Sequence, residues 1–216
     1  PRVSKHIMTA VINQHLKSFP LKPFDEETTV SQLQAIGVEK PLIDSGKLMK
    51  FTTGFPGLND KAIRWINERR EYSEDDLLSH MANSILECCP GKVDPEADSV
   101  KSELLTAALL FSFDESLLAE FASKPTNGTR ELKRLTDTQL VEPRPNYGYT
   151  IISSLKGILA QHFERSQPNI CREIYQQAQE EADLRIKGHD FSAIVDWLYY
   201  WAKLDGDKGT AKQKLT

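Results

Sequence analysis

The residues able to do chemistry in this chain are scattered along it. Five histidines, His6, His15, His80, His162 and His189, show neither His-x-His nor His-Glu-x-x-His spacing, so no zinc-type ligand set is encoded. Cys88 and Cys89 are adjacent and Cys171 is remote. That pattern suits free thiols in a reducing compartment, and it makes neither a disulfide framework nor a spaced metal site. Ser153-Ser154 has no base signature nearby and no Gly-x-Ser-x-Gly occurs, so nucleophilic catalysis finds no support. A Gly-x-x-x-x-Gly-Lys-Ser/Thr loop, which would cradle phosphates, is absent.

Two short stretches hold more. Arg130, Lys133 and Arg134 fall on one helical segment and Arg144 follows in a turn-like stretch. Cations so placed can meet nucleic-acid phosphates. Glu131, Asp137 and Glu142 are interleaved with them, however, and the chain carries a formal net charge of -4, so a solvated mixed-charge face is expected instead. In the second stretch, Gly54-Phe55-Pro56, proline fits the first turn of a following helix because its missing N–H is not needed there.

The elements that must position these residues are mostly helical. Asp25 is placed to cap a helix beginning at Glu26-Glu27, whose carboxylates suit the positive helix start. Short helices are expected around 41–44 and 47–52, and another after Pro56 with Leu58, Ala62, Trp65 and Ile66 on one face. Ser73 followed by Glu74, Asp75 and Asp76 opens a helix that Pro90-Gly91 ends. Residues 89–98 read as a linker. Beyond it, helices are expected over 99–113, 115–122 and 129–140. The pattern then changes: Leu140–Pro143 and Tyr147–Ile152 are short, β-branched and aromatic, and flank Arg144-Pro145-Asn146. Three short helices followed by such a hairpin make a winged-helix arrangement. Helices resume over 153–165, 168–187 and 191–204. The last carries Trp197, Leu198, Tyr199, Tyr200 and Trp201, too apolar for an isolated surface helix. The tail 205–216 is polar. No apolar run approaches the ~20 residues needed to span a bilayer.

The order of segments resembles the second half of a STAND-type (NB-ARC-like) signalling NTPase. In that family a P-loop core is followed by a helical lid, a winged helix and often helical repeats. Phe19–Glu27 resembles the entry to the lid, and Thr52–Leu58 its Gly-x-Pro motif. Leu132–Tyr149 resembles the winged helix with its hairpin, and Ile194–Tyr200 the first repeat helices. The phosphate-sensing histidine often found after the hairpin is replaced by Ile151-Ile152-Ser153-Ser154.

The resemblance implies a mainly α chain with a lid-like subdomain over 1–90, a winged-helix domain with one small β-hairpin over 91–165, and the start of a helical repeat or interaction region over 166–216. It implies that Gly54, Phe55 and Pro56 lie against adenine, since a flat purine needs close backbone approach and a rigid apolar surface. It offers Arg2 as the remnant of a sensor arginine, against the plainer reading of a frayed terminus. ATP or ADP would be a cofactor only of a longer protein. In that protein these parts would act as a nucleotide-dependent switch, with an upstream P-loop domain and a protein bound by the C-terminal helices as partners. The chain itself is expected to be catalytically inactive, cytoplasmic and free of membrane. A winged-helix DNA-binding regulator, contacting DNA through Arg130, Lys133, Arg134 and Arg144, and a helical protein-interaction adaptor are the alternatives.

Overall fold

A computed structural model describes residues 24–35, 47–69, 73–87, 97–121, 128–145 and 147–205. Arg2, the short helix expected at 41–44, Cys88, Cys89, most of the expected linker and the tail after Asp205 lie outside the described residues. The chain divides into two compact units, Pro1–Asn59 and Asp60–Thr216.

The first unit holds α1 (Glu26–Ala35), α2 (Lys47–Thr52) and the start of α3 (Pro56–Asn67). Asp25 caps α1 as expected, its carboxylate accepting from the Thr28 N–H at 2.8 Å. Hydrogen bonds from the Thr28 side chain and from its N–H hold the Asp25 carboxyl below the ordinary carboxylate range. Leu33, Phe51 and Leu58 are buried, and the buried Asn59 donates from Nδ2 to Gln32 Oε1 at 2.7 Å. Gly54 adopts φ 77°, where an L side chain is strained. Its carbonyl accepts from the Phe24 N–H at 2.8 Å, and a Cβ at this position would collide with the Phe24 carbonyl oxygen.

The second unit is a mainly helical body with one small hairpin. α4 (Glu74–Glu87) opens on a reciprocal cap. Ser73 Oγ accepts from the Asp76 N–H at 3.1 Å while the Asp76 carboxylate accepts from the Ser73 N–H at 3.0 Å. Its buried stripe, Leu77, Leu78, Met81, Ile85 and Leu86, faces α8 (Ser153–Ser166).

Three helices and the expected hairpin follow: α5 (Ala97–Leu109), α6 (Glu115–Glu120), α7 (Thr129–Asp137), β1 (Val141–Arg144) and β2 (Gly148–Ile151). The strands pair antiparallel, from Val141 opposite Ile151 to Arg144 opposite Gly148. Phe113 adds a third, one-residue strand, exchanging backbone hydrogen bonds of 2.9 and 2.8 Å with Tyr149. Gly148, at φ 79°, lets β2 come that close, because a Cβ there would strike the Phe113 carbonyl. This pairing corrects the helix expected over 99–113. The backbone of Phe113 is needed by the sheet, so α5 ends at Leu109. α6 and α7 likewise stop at Glu120 and Asp137, short of the expected 122 and 140. The Thr138 Oγ–H donates to the Leu135 carbonyl at 2.6 Å, and Gln139 turns to φ 61°, closing α7 before Leu140 leads into β1.

α9 (Pro168–Lys187) and α10 (Ala193–Asp205) form a helical hairpin. Arg185 ties its turn together, donating to Asp190 at 2.9 and 2.7 Å and to Asp196 at 3.1 Å. The core runs through Leu104, Leu109, Leu110, Leu135, Ile151, Ile158 and Leu159, all essentially inaccessible. Each such side chain contributes about 1.5–3 kcal/mol by leaving water.

Candidate functional site

The last carbonyls of a helix have no partner within it and carry the negative end of its dipole. Just past the C-terminus of α5, the backbone of Leu110 and Phe111 gathers groups from three elements. Lys156, in the first turn of α8, donates from Nζ to the Phe111 carbonyl at 3.0 Å and to the Leu110 carbonyl. Arg144, at the end of β1, donates from Nη1 to the same Phe111 carbonyl at 3.2 Å. Tyr200, buried in α10, accepts the Phe111 N–H on its hydroxyl at 3.1 Å.

The aromatic rings reinforce this convergence. The Arg144 guanidinium lies 3.8 Å from the Phe111 ring centroid, a cation–π contact. Phe111 and Tyr199 meet at 5.4 Å between centroids. The Nζ atoms of Lys156 and Lys203 lie 5.6 and 6.0 Å from the Tyr199 ring. Burial pushes the Lys156 amine down to about 8, and the nearby Arg144 and Lys203 charges add to the shift. Burial likewise pushes the Tyr199 hydroxyl up to about 12.

Beside these groups the hairpin, α8 and α10 leave an open cleft of about 640 Å³. Its charged lining residues are Arg144, Lys156, Lys203 and Glu142, with Thr150, Ser153, Gln161 and Tyr199 as neutral polar groups. Lys203 is paired with Glu164 at 2.8 Å. Among the described residues Arg144 and Lys156 form no ion pair, and Glu142 meets only the Ser153 hydroxyl, at 3.4 Å.

Of the four cations considered for DNA, two are engaged within the domain. Arg130 and Lys133 stand exposed on α7. Arg134 turns into the domain, pairing with Glu103 of α5 and with Glu131 at 3.5 Å, its side chain only 20% accessible. Burial raises the Glu103 carboxyl despite the opposing pull of Ser99 and Arg134. Arg144, in the wing, is folded onto Phe111.

In the first unit, the close approach permitted by Gly54 is taken by the Phe24 backbone. Phe55 is half-buried and caps α3 through its carbonyl, which accepts from Leu58 and Asn59 at 3.0 and 2.9 Å; Pro56 is the first residue of that helix. In the α9–α10 hairpin, Trp197 and Trp201 stack with centroids 6.4 Å apart, and Leu184, Phe191, Ile194, Val195 and Leu198 are exposed. His80 stacks on Trp65 at 5.2 Å, and His162 is half-buried; burial lowers the pKa of both. Among the described residues no three His, Cys, Asp or Glu side chains are grouped to hold a metal ion, and no helix is long and apolar enough to cross a membrane.

Sequence reasoning missed Lys156 and the role of Phe111. Lys156 sits beside Leu155, Ile158 and Leu159 in the apolar run of α8, a position that by itself signals only a half-buried lysine stem. No protein-family model matches the chain, and no curated protein or solved structure matches it significantly.

Proposed function

We propose that the chain is the regulatory lid and winged-helix part of a STAND-like signal-transduction ATPase, working as a conformational switch through protein contacts. The observation that carries this reading is the inward commitment of Arg134 and Arg144. A DNA-reading winged helix presents the cations of its third helix and wing to phosphates. Here one is held by Glu103 and the other by a backbone carbonyl and a ring. A winged helix built this way is suited to packing against other protein. The order of elements supports the same reading: a Gly-Phe-Pro helix start, then the winged helix, then a helical hairpin. The exposed Phe191, Ile194, Val195 and Leu198 are where the reading places the next helical repeat.

Three measurements test it. The reading frame upstream of Pro1 should encode a Gly-x-x-x-x-Gly-Lys-Ser/Thr loop. Calorimetric titration of the 216-residue chain with Mg-ATP should show no submicromolar binding. Duplex DNA should not be retarded by it in a salt-dependent manner. A start codon directly before Pro1, or tight ATP binding by the chain alone, overturns the proposal. A DNA shift abolished by Lys133→Glu would favour the DNA-binding regulator.

A further inference from the structure

We propose that the cleft between the hairpin, α8 and α10 binds a small phosphate monoester, its phosphate held by Arg144 and Lys156 and its organic part lying along Pro143, Pro145 and Ala160. Four observations carry this, and none depends on the ATPase reading. First, the cleft collects Arg144, Lys156 and Lys203 against Glu142 in a chain that is acidic as a whole, and only Lys203 among the three is held in an ion pair, with Glu164. Second, Arg144 and Lys156 form no direct ion pair among the described residues; carbonyl dipoles and rings meet them at close range, and Asp196, itself paired with Arg185, acts on them only from beyond ion-pair distance. A dianion is the group that neutralises two such cations at once.

Third, donors remain for it. Phe111 is the only described hydrogen-bond acceptor for the Arg144 guanidinium, which carries five N–H groups. The third N–H of Lys156 reaches only Thr150 Oγ1, at 3.5 Å, the outer limit of a hydrogen bond. Fourth, the volume of about 640 Å³ exceeds what an inorganic ion fills and falls in the range of small-molecule pockets, and part of its wall is apolar. Glu142 already lies in the cleft, held by the single 3.4 Å contact to Ser153. It is the resident anion that an incoming phosphate displaces or repels.

Phenyl phosphate is a suitable probe, with inorganic phosphate and phenol as its two halves. Calorimetric titration at low salt should show saturable binding of phenyl phosphate, weaker binding of inorganic phosphate and none of phenol. Binding should move the amide resonances of Ser153 and Ser154. Arg144→Ala should weaken it about tenfold, and Glu142→Gln should strengthen it several-fold. Because Lys156 also caps α5, its replacement risks the fold; the Arg144 and Glu142 variants leave that cap in place and keep the test decisive. The proposal is overturned if neither the wild type nor Glu142→Gln binds phenyl phosphate saturably, or if binding is indifferent to Arg144→Ala.

Discussion

Replacing Lys156 with methionine removes one charge and keeps most of the stem that packs in α8. At neutral pH two effects oppose each other. The variant leaves the Leu110 and Phe111 carbonyls without their ammonium donor, and hydrogen bonds to charged groups contribute about 1.5–3 kcal/mol each. It also ends the burial of a cation whose amine is pushed from 10.5 to about 8, a preference for the neutral form of about 3 kcal/mol. The net change at pH 7 should therefore be small, and its pH dependence is the sharper observable. A lysine with a depressed folded-state pKa carries fewer protons folded than unfolded between about pH 8 and the unfolded value, so stability rises across that window. Methionine has no such linkage. The stability of the wild type relative to Lys156→Met should rise by about 2 kcal/mol from about pH 7 to about pH 9.5. Arg144, Lys203 and Tyr199 face the amine along with Glu142 and Asp196, and all five are present in both proteins. Cys171, pushed up to about 11, and the raised hydroxyls of Tyr175, Tyr199 and Tyr200 lower the stability of both at high pH and cancel in the difference. Urea unfolding followed by tryptophan fluorescence reads it as a relative midpoint shift of about 1 M. A difference constant to within about 0.5 kcal/mol over that range would refute the burial of this amine at the end of α5.

Two further substitutions probe the parts around it. Arg134→Ala strands Glu103 half-buried and should cost about 2 kcal/mol by urea unfolding, less than for a deeply buried pair because both side chains keep some water; a double-mutant cycle with Glu103→Ala should return a coupling above about 1 kcal/mol. Gly54→Ala forces an L side chain into φ 77° against the Phe24 carbonyl and should destabilise the first unit by about 2 kcal/mol or more, visible as faster amide exchange at Thr28 and Thr29; stability within about 0.5 kcal/mol of the wild type would mean that this close approach is absent.

Much of the framework was legible because its signals are local. Asp25, Ser73 and Pro56 announce helix starts through side-chain or ring chemistry that acts within one turn, and each stands where that chemistry puts it. The Pro168–Lys187 helix was legible to the residue for the same reason. The errors fell where a distant partner decides. Leu109–Phe113 continues the apolar pattern of α5, and nothing nearby says that the Phe113 backbone is required by Tyr149, far along the chain.

The cations show the same division more sharply. Residue type and spacing identified Arg130, Lys133, Arg134 and Arg144 as a basic group, but side-chain direction is set by what each can reach. Arg134 reaches Glu103 across the α5–α7 contact, and Arg144 reaches a helix-end carbonyl that existed for it only once α5 had ended early. The misread helix end and the unforeseen site therefore have one cause. Ending α5 at Leu109 exposes the Leu110 and Phe111 carbonyls, those carbonyls recruit Lys156 and Arg144, and that recruitment leaves beside an open cleft two cations that form no ion pair among the described residues. Had α5 run on to Phe113, its last carbonyls would lie a turn further along, and Arg144 would be free to point outward from the wing.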